Sequence, residues 1–263
     1  MYTGINPSFD IDYCVEAKRL FNAMTIIPDV TRKKLIDYTI RQLKIKGIWD
    51  RLEFLYLFAA NNSQAGRLNW KNPGLYTATE VLAPVFTTDQ GYTPNGSTSF
   101  LKTGFIPSIN LTVAGLNDIS FGLYSRTDVA RNANDIGCVD ATSTHRISMN
   151  LRNSTGNLYV SSINNSSGPS IANLNSLGFH YSYRSNSTNV VLGKNGIDLS
   201  TSNVVSVALP SVEMYIGGMN NNGSLSGASN RQFSFSYLGN SAINFSDFYS
   251  IIQNYMTQIG ANV

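Results

Sequence analysis

Val190-Val191-Leu192-Gly193-Lys194-Asn195-Gly196, then Met214-Tyr215-Ile216-Gly217-Gly218, then Phe233-Ser234-Phe235-Ser236-Tyr237-Leu238 follow one another in the last third of the chain. The first run is aliphatic and β-branched until it meets Asn195-Gly196. Those two residues tolerate positive φ and close a two-residue hairpin before Ile197. In the third run, apolar residues alternate with serine, the period of a strand with one face turned to a core. Working outward, similar runs bounded by Gly, Asn and Ser turns occur at 98–103, 119–125, 136–139, 145–151, 158–163, 179–184, 189–193, 204–209, 213–216 and 232–238. Many short strands with polar turns predict a mainly β chain folded as a sandwich or jelly roll, with little room for a parallel α/β sheet. Behind them Phe248, Ile252, Tyr255 and Ile259 fall on one face of a C-terminal helix, with Ser246 expected as its N-cap and Gly260 at its end.

Upstream the chemistry changes. The first 60 of the 263 residues hold nine of the nineteen Lys/Arg and seven of the sixteen Asp/Glu, whereas the remainder is polar through Asn, Ser, Thr and Gly. Cys14, Ala17, Phe21 and Met24 recur at spacings of three and four, which predicts a helix over 11–23 stopped by Pro28. Thr31 is expected to cap a second helix whose apolar face carries Ile36, Ile40 and Leu43, and Gly47 stands where a left-handed C-cap belongs. The segment 54–58 is apolar on both faces and suits a buried strand. The expected organisation is a helical docking segment over 1–60, a linker over 61–75 and a jelly-roll sandwich over 76–263.

The bulk properties exclude several classes. The first ten residues lack a basic stretch followed by an apolar run, so secretion through a cleaved signal peptide is not expected. The most apolar stretch, 48–60, is short and broken by Asp50, Arg51 and Glu53, so no membrane span and no membrane partner are expected. A net charge of +3 spread along the chain gives no stripe able to neutralise several phosphates, so nucleic acid is not an expected partner. Cys14 and Cys138 read as two separate thiols in a chain large enough to bury a core without a disulfide.

The ordered features of the last 75 residues, from the Asn195-Gly196 hairpin through Ile216-Gly217-Gly218 to the alternating strand and terminal helix, resemble the laminin-G-like, concanavalin-like jelly-roll superfamily over 92–259. More narrowly, Leu55-Tyr56-Leu57-Phe58-Ala59-Ala60, Leu68-Asn69-Trp70-Lys71-Asn72-Pro73-Gly74, Gly91-Tyr92 and 95–105 look like virion structural proteins of tailed phages, those of Bacteroidota in particular. That resemblance implies a protein made in the host cytoplasm and carried on a capsid, head fibre or tail. It implies other virion proteins as partners, host-surface polysaccharide as a ligand of the lectin-like head, and a homo-oligomer, a trimer by analogy with virion spikes. Ile36, Ile40 and Leu43 would then face the docking partner. The competing reading is a bacterial carbohydrate-binding lectin module.

Glucanases of this superfamily need two carboxylates about 5–9.5 Å apart, and the corresponding Glu-x-Asp-x-x-Glu strand motif is absent, so no enzyme activity is expected. His145 and His180 have no Gly-x-Ser-x-Gly elbow or metal-ligand spacing beside them. Sugar recognition asks for an aromatic face ringed by polar groups, for which Tyr124, Arg126, Tyr181, Tyr183, Arg184 and Arg231 are the candidates. No cofactor is expected other than calcium, whose oxygen ligands would come from Asp128, Asn134, Asp135 and Asp140.

Overall fold

The structure is a computed structural model that describes residues 12–155 and 158–263, without the side chain of Leu158. Elements are numbered in chain order. A central sheet runs β13 (Ile197–Asn203), β12 (Asn189–Lys194), β11 (Gly178–Arg184), β6 (Ile119–Ser125), β17 (Phe233–Gly239), β4 (Gly91–Thr93), β3 (Val85–Thr87), and β1 (Leu52–Leu57) also pairs with β17. An outer sheet runs β10 (Ser170–Ala172), β9 (Leu158–Ile163), β8 (Arg146–Asn150), β7 (Ile136–Val139), β14 (Tyr215–Ile216), β5 (Phe100–Lys102), β2 (Thr79–Val81). β15 (Met219–Asn221) joins β7 in parallel and carries β16 (Ser224–Ser226). All other pairings are antiparallel, and the result is the two-sheet sandwich that the strand pattern predicts.

A third layer covers the far side of the central sheet. It consists of α1 (Val15–Ala23), α2 (Val30–Ile45) and α5 (Phe245–Gln258), while α3 (Ser63–Arg67) and α4 (Pro107–Asn110) are single turns in loops. The alternation along each central strand therefore feeds two cores. Ile119, Phe121 and Leu123 of β6, and Phe54 and Tyr56 of β1, enter the core between the sheets. Tyr124 of β6, Phe179 and Tyr181 of β11, and Leu55 and Leu57 of β1 enter the core under the helices. Phe248 of α5 meets Phe179, Phe235 and Tyr237 edge to face, with ring centroids 4.9–5.6 Å apart, geometry that adds to the area these rings bury.

Several expectations shift in detail. Asn244 caps α5 in place of Ser246, its side chain accepting from the Asp247 N–H, and Asp29 caps α2 in place of Thr31 by accepting from Arg32 N–H. In both cases an Asx residue stands one position before the helical dihedrals begin, where its short side chain reaches the first free amides. α1 begins at Val15, and residue 11 of the expected helix lies outside the described residues. The run 204–209 is not a strand. Val204 and Ser206 donate to Thr188 and Ser187 while Val207 donates to Asn164, so the segment spends its amides on loops as it crosses between the sheets.

The expected boundaries at 60 and 75 do not coincide with breaks in packing. β1 lies before the first and is a strand of the central sheet. Between them Asn69 is buried and accepts from the amides of Leu55 and Lys71, which fastens the expected linker to β1. Ile36, Ile40 and Leu43 are 2%, 0% and 0% exposed, so the apolar face of α2 is turned to this chain's own core and is not available to a docking partner. Both cysteines are free thiols, Cys138 buried and Cys14 half-buried. No helix among the described residues is long and apolar enough to cross a membrane.

His180 projects from β11 into the core between the sheets, where its Nδ1 bonds to the Gly178 carbonyl and its ring meets Tyr159 edge-on. Burial, reinforced by the charge of Lys194, drives its pKa well below the ordinary imidazole range. The folded state holds it neutral, while the unfolded chain protonates it near pH 6.5. Stability is therefore expected to be level above about pH 6.5 and to fall as pH drops below that value. Denaturation midpoints across pH 4–8 check this, and His180→Gln should flatten that part of the acid limb.

Candidate functional site

The site forms where β11, the β12–β13 hairpin and the start of α5 converge. Tyr181 lies opposite Gly193 across β11–β12, and Gly193 lies opposite Asp198 across β12–β13. The middle position of this row has no side chain, so the Tyr181 ring can lie across it. A Cβ at Gly193 would stand 2.0 Å from Tyr181 Cζ. The tyrosine thereby spans a whole strand, and its hydroxyl donates to Asp198 Oδ1 at 2.8 Å. Two residues on, on the same face, Tyr183 donates to Asp198 Oδ2 at 2.7 Å. The hairpin tip uses positive φ at Asn195 (52°) and Gly196 (81°), as the Asn-Gly reading requires. A Cβ on Gly196 would come within 2.9 Å of Ser246 Cα, so the tip rests directly on the first turn of α5.

Phe245, the first helical residue, stacks on Tyr181 with centroids 4.1 Å apart and 11° between planes, and on Tyr183 at 5.1 Å and 16°. The three rings and Asp198, with Gly196, Ser241, Ile243, Asn244 and Ser246, line a pocket of about 340 Å³. Burial, and then the neighbouring Asp198 charge, pushes both tyrosine hydroxyls well above the ordinary phenol range. Both thus stay protonated and remain donors. Tyr181 and Phe245 are buried, Tyr183 is half-buried and Asp198 is exposed, so the aromatic stack is a rigid floor and the carboxylate is the part that meets solvent.

Of the six residues expected around a sugar, the structure brings two together here, Tyr181 and Tyr183. Tyr124 is buried under α5 with its hydroxyl on Gln253, and Arg126 reaches the carbonyl of Ala261 and the side chain of Gln232. Arg184 points to the opposite face of the central sheet, wholly buried, where its guanidinium holds the carbonyls of Ile163, Ser187 and Val204. Arg231 is buried against Asp135. These two arginines pin loops and are closed to ligand. Asp198 and Phe245 escaped the sequence reading. Asp198 stands two residues past the hairpin dipeptide, and counting back through Gly193 to Tyr181 would have found it.

The four residues considered for calcium do not share a site. Asp128 pairs with Arg152 and accepts from Ser176. Asp135 is taken by Arg231, Ser229 and the Leu151 amide, and Asp140 by Thr142, His145 and Ser211. Asn134 packs beside Gly227. Among the described residues no group of three or more His, Cys, Asp or Glu side chains could hold a metal ion.

Three other concavities are larger and chemically less suited to a ring-shaped ligand, the smallest of them, about 380 Å³, being lined by Arg19, Asn22, Ala23, Asn72, Pro73 and Gly74 with no aromatic ring. One of about 510 Å³ lies between α2 and α5, but its Arg32 is spent on Asp89. The third, about 490 Å³ on the outer sheet, has its one cation and one carboxylate, Lys102 and Glu213, spent on each other at 3.8 Å.

No family model matches the sequence, and no curated protein matches it. Solved structures are similar to the chain. A mutant of Trypanosoma rangeli sialidase displaying trans-sialidase activity is 12% identical with a TM-score of 0.52, the match covering 89% of this chain and 40% of that one. Domain 4 of a GH43 extracellular arabinanase from Geobacillus stearothermophilus, in complex with arabinotriose, is 12% identical with a TM-score of 0.45, covering 77% and 98%. The CBM40 of the Ruminococcus gnavus IT-sialidase is 9% identical with a TM-score of 0.41, covering 68% and 99%. The chain thus spans about two fifths of the length of the Trypanosoma rangeli enzyme, and the likeness is one of fold.

Proposed function

We propose that the chain is a non-catalytic carbohydrate-binding module whose sugar site is the Tyr181–Tyr183–Asp198 pocket. The observation that carries this reading is the pocket's make-up: the half-buried Tyr183 ring, backed by the buried rings of Phe245 and Tyr181, stands beside one exposed carboxylate whose geometry is fixed by two tyrosine hydroxyls. A pyranose has an apolar C–H face and a rim of hydroxyls, and this surface complements both. Asp198 is the sole carboxylate among the lining residues, which favours holding a sugar over cleaving one, since hydrolysis asks for a pair. The fold shared with part of a sialidase fits this reading. Carriage on a phage particle, with other virion proteins as partners, belongs to the same proposal and draws on the sequence resemblance over 50–105.

The test is a glycan array probed with the whole chain, followed by titration of the best binder. Tyr183→Ala is expected to weaken that binder about fivefold or more, given that stacked aromatic contacts contribute on the order of 1 kcal/mol. Because Tyr183 is half-buried, the melting temperature should move by only a few degrees. An array with no retained glycan, or a Tyr183→Ala protein that binds as before, would sink the proposal.

A further inference from the structure

The charge of the pocket is one-sided. Asp198 receives one hydrogen bond on each oxygen, both from neutral hydroxyls. A carboxylate has about four acceptor positions, so each oxygen keeps one free toward solvent. Behind the wall, Asp118 accepts from both the amide and the hydroxyl of Ser241, a lining residue, at 2.8 and 2.6 Å. Among the described residues no ion pair joins Asp198 or Asp118 to a lysine, arginine or histidine. Two cations on neighbouring elements, Lys46 and Lys194, are engaged elsewhere. Lys46 pairs with Asp247 at 3.0 Å, and Lys194 donates to Asn173 and Asn175.

One feature of opposite sign is present, the N-terminus of α5, which brings roughly half a positive charge. It is already answered by the Asn244 cap and by Asp247 in the first turn. The Asp198 carboxylate at the mouth, with Asp118 behind the wall, therefore outweighs it, and the half-buried Tyr183 ring adds negative potential of its own.

We infer that the pocket selects glycans bearing a free ammonium group, that is, amino sugars with unsubstituted amines, and turns away sugars bearing a carboxylate. This rests on the carbohydrate-binding reading above and narrows it. The ammonium hydrogen-bonds to the open positions of Asp198, a charge-assisted contact about twice as strong as a neutral one. An ammonium held there over the half-buried Tyr183 ring would also gain a cation–π contact, whose reach is about 6 Å. An N-acetyl group removes the charge and the contact, and a sugar acid places like charge against Asp198. The chain's net charge of +3 does not itself attract a polycation, so a preference for one must arise locally.

The experiment titrates the whole chain by calorimetry with a glucosamine oligosaccharide, its N-acetylated counterpart and sialyllactose, below the pKa of the amine and at low and high salt. The glucosamine oligosaccharide is expected to bind about tenfold tighter than the acetylated one, and sialyllactose not measurably. The preference should shrink as salt rises. Asp198→Asn is expected to remove the preference and Tyr183→Phe, which leaves the carboxylate, to keep it; the salt series on the unaltered protein needs no variant to fold. Equal binding of acetylated and free amines, unmoved by salt, overturns the selectivity while leaving a carbohydrate module. Binding of none of these sugars, with an empty array, overturns both. Tight binding of sialyllactose overturns the inference alone.

Discussion

A chain cut back to residues 48–263 is expected to collect in the insoluble fraction and to show no cooperative melting when refolded. The cut strips Leu20, Phe21, Ile36, Ile40 and Leu43 from the core under the helices. Each such side chain contributes about 1.5–3 kcal/mol on burial. Five of them together match the whole net stability of a domain, about 5–15 kcal/mol. The cut also strips α2 from α5, whose Tyr255 and Met256 are buried in the complete chain. A contiguous apolar surface of that kind promotes association. Differential scanning calorimetry on the shortened and full chains decides the matter. A soluble 48–263 fragment with a sharp transition would show that α1 and α2 are a separable attachment, as their contrast in charge suggests from sequence alone.

The second large effect concerns Asp135 and Arg231. Both side chains are 0% exposed, and Arg231 Nη1 lies 2.7 and 2.8 Å from the two carboxylate oxygens. Its Nη2 donates to the carbonyls of Val129 and Arg152, so one guanidinium ties the start of β7 to two loops. Replacing Arg231 by Met leaves a buried carboxylate with only Ser229 and the Leu151 amide as donors. Removing one partner of such a pair costs about 3–5 kcal/mol. Asp135→Asn in the Arg231→Met background should recover most of that loss, because the uncompensated charge is gone. Urea midpoints for the two single variants and the double variant measure the coupling, and a loss below about 1 kcal/mol for Arg231→Met would contradict it.

How far the sequence could be read depends on what each signal encodes. β6, β7 and β9 appear in the structure with the bounds their alternation predicts, since apolar residues and flanking turn residues both mark them. The Asn195-Gly196 hairpin is equally legible, because its dihedral requirement is local. What alternation does not encode is which layer covers each face. Tyr124, Tyr181 and Tyr183 read as an exposed platform because a sandwich usually shows one face of each sheet to water. Here α5 lies on that face, and only the rim around Tyr183 stays open. Arg184 and Arg231 were placed at the surface on the general habit of arginine, yet each is buried where several backbone carbonyls converge, a coincidence of distant loops with no local mark. The apolar face of α2 was plain in the sequence, whereas its target, α5, lies more than 200 residues away in the chain.

β13 is the terminal strand of the central sheet, so the backbone amides and carbonyls on its outer side have no strand beside them. Asp198 stands near the beginning of that strand. The pocket consequently lies at the edge of the central sheet and not in its middle, with Asp198 on the outermost strand. Under the proposed function, a linear polymer held at Asp198 would run beside this unpaired edge, so internal units of a polysaccharide, and not its ends alone, are the expected ligands.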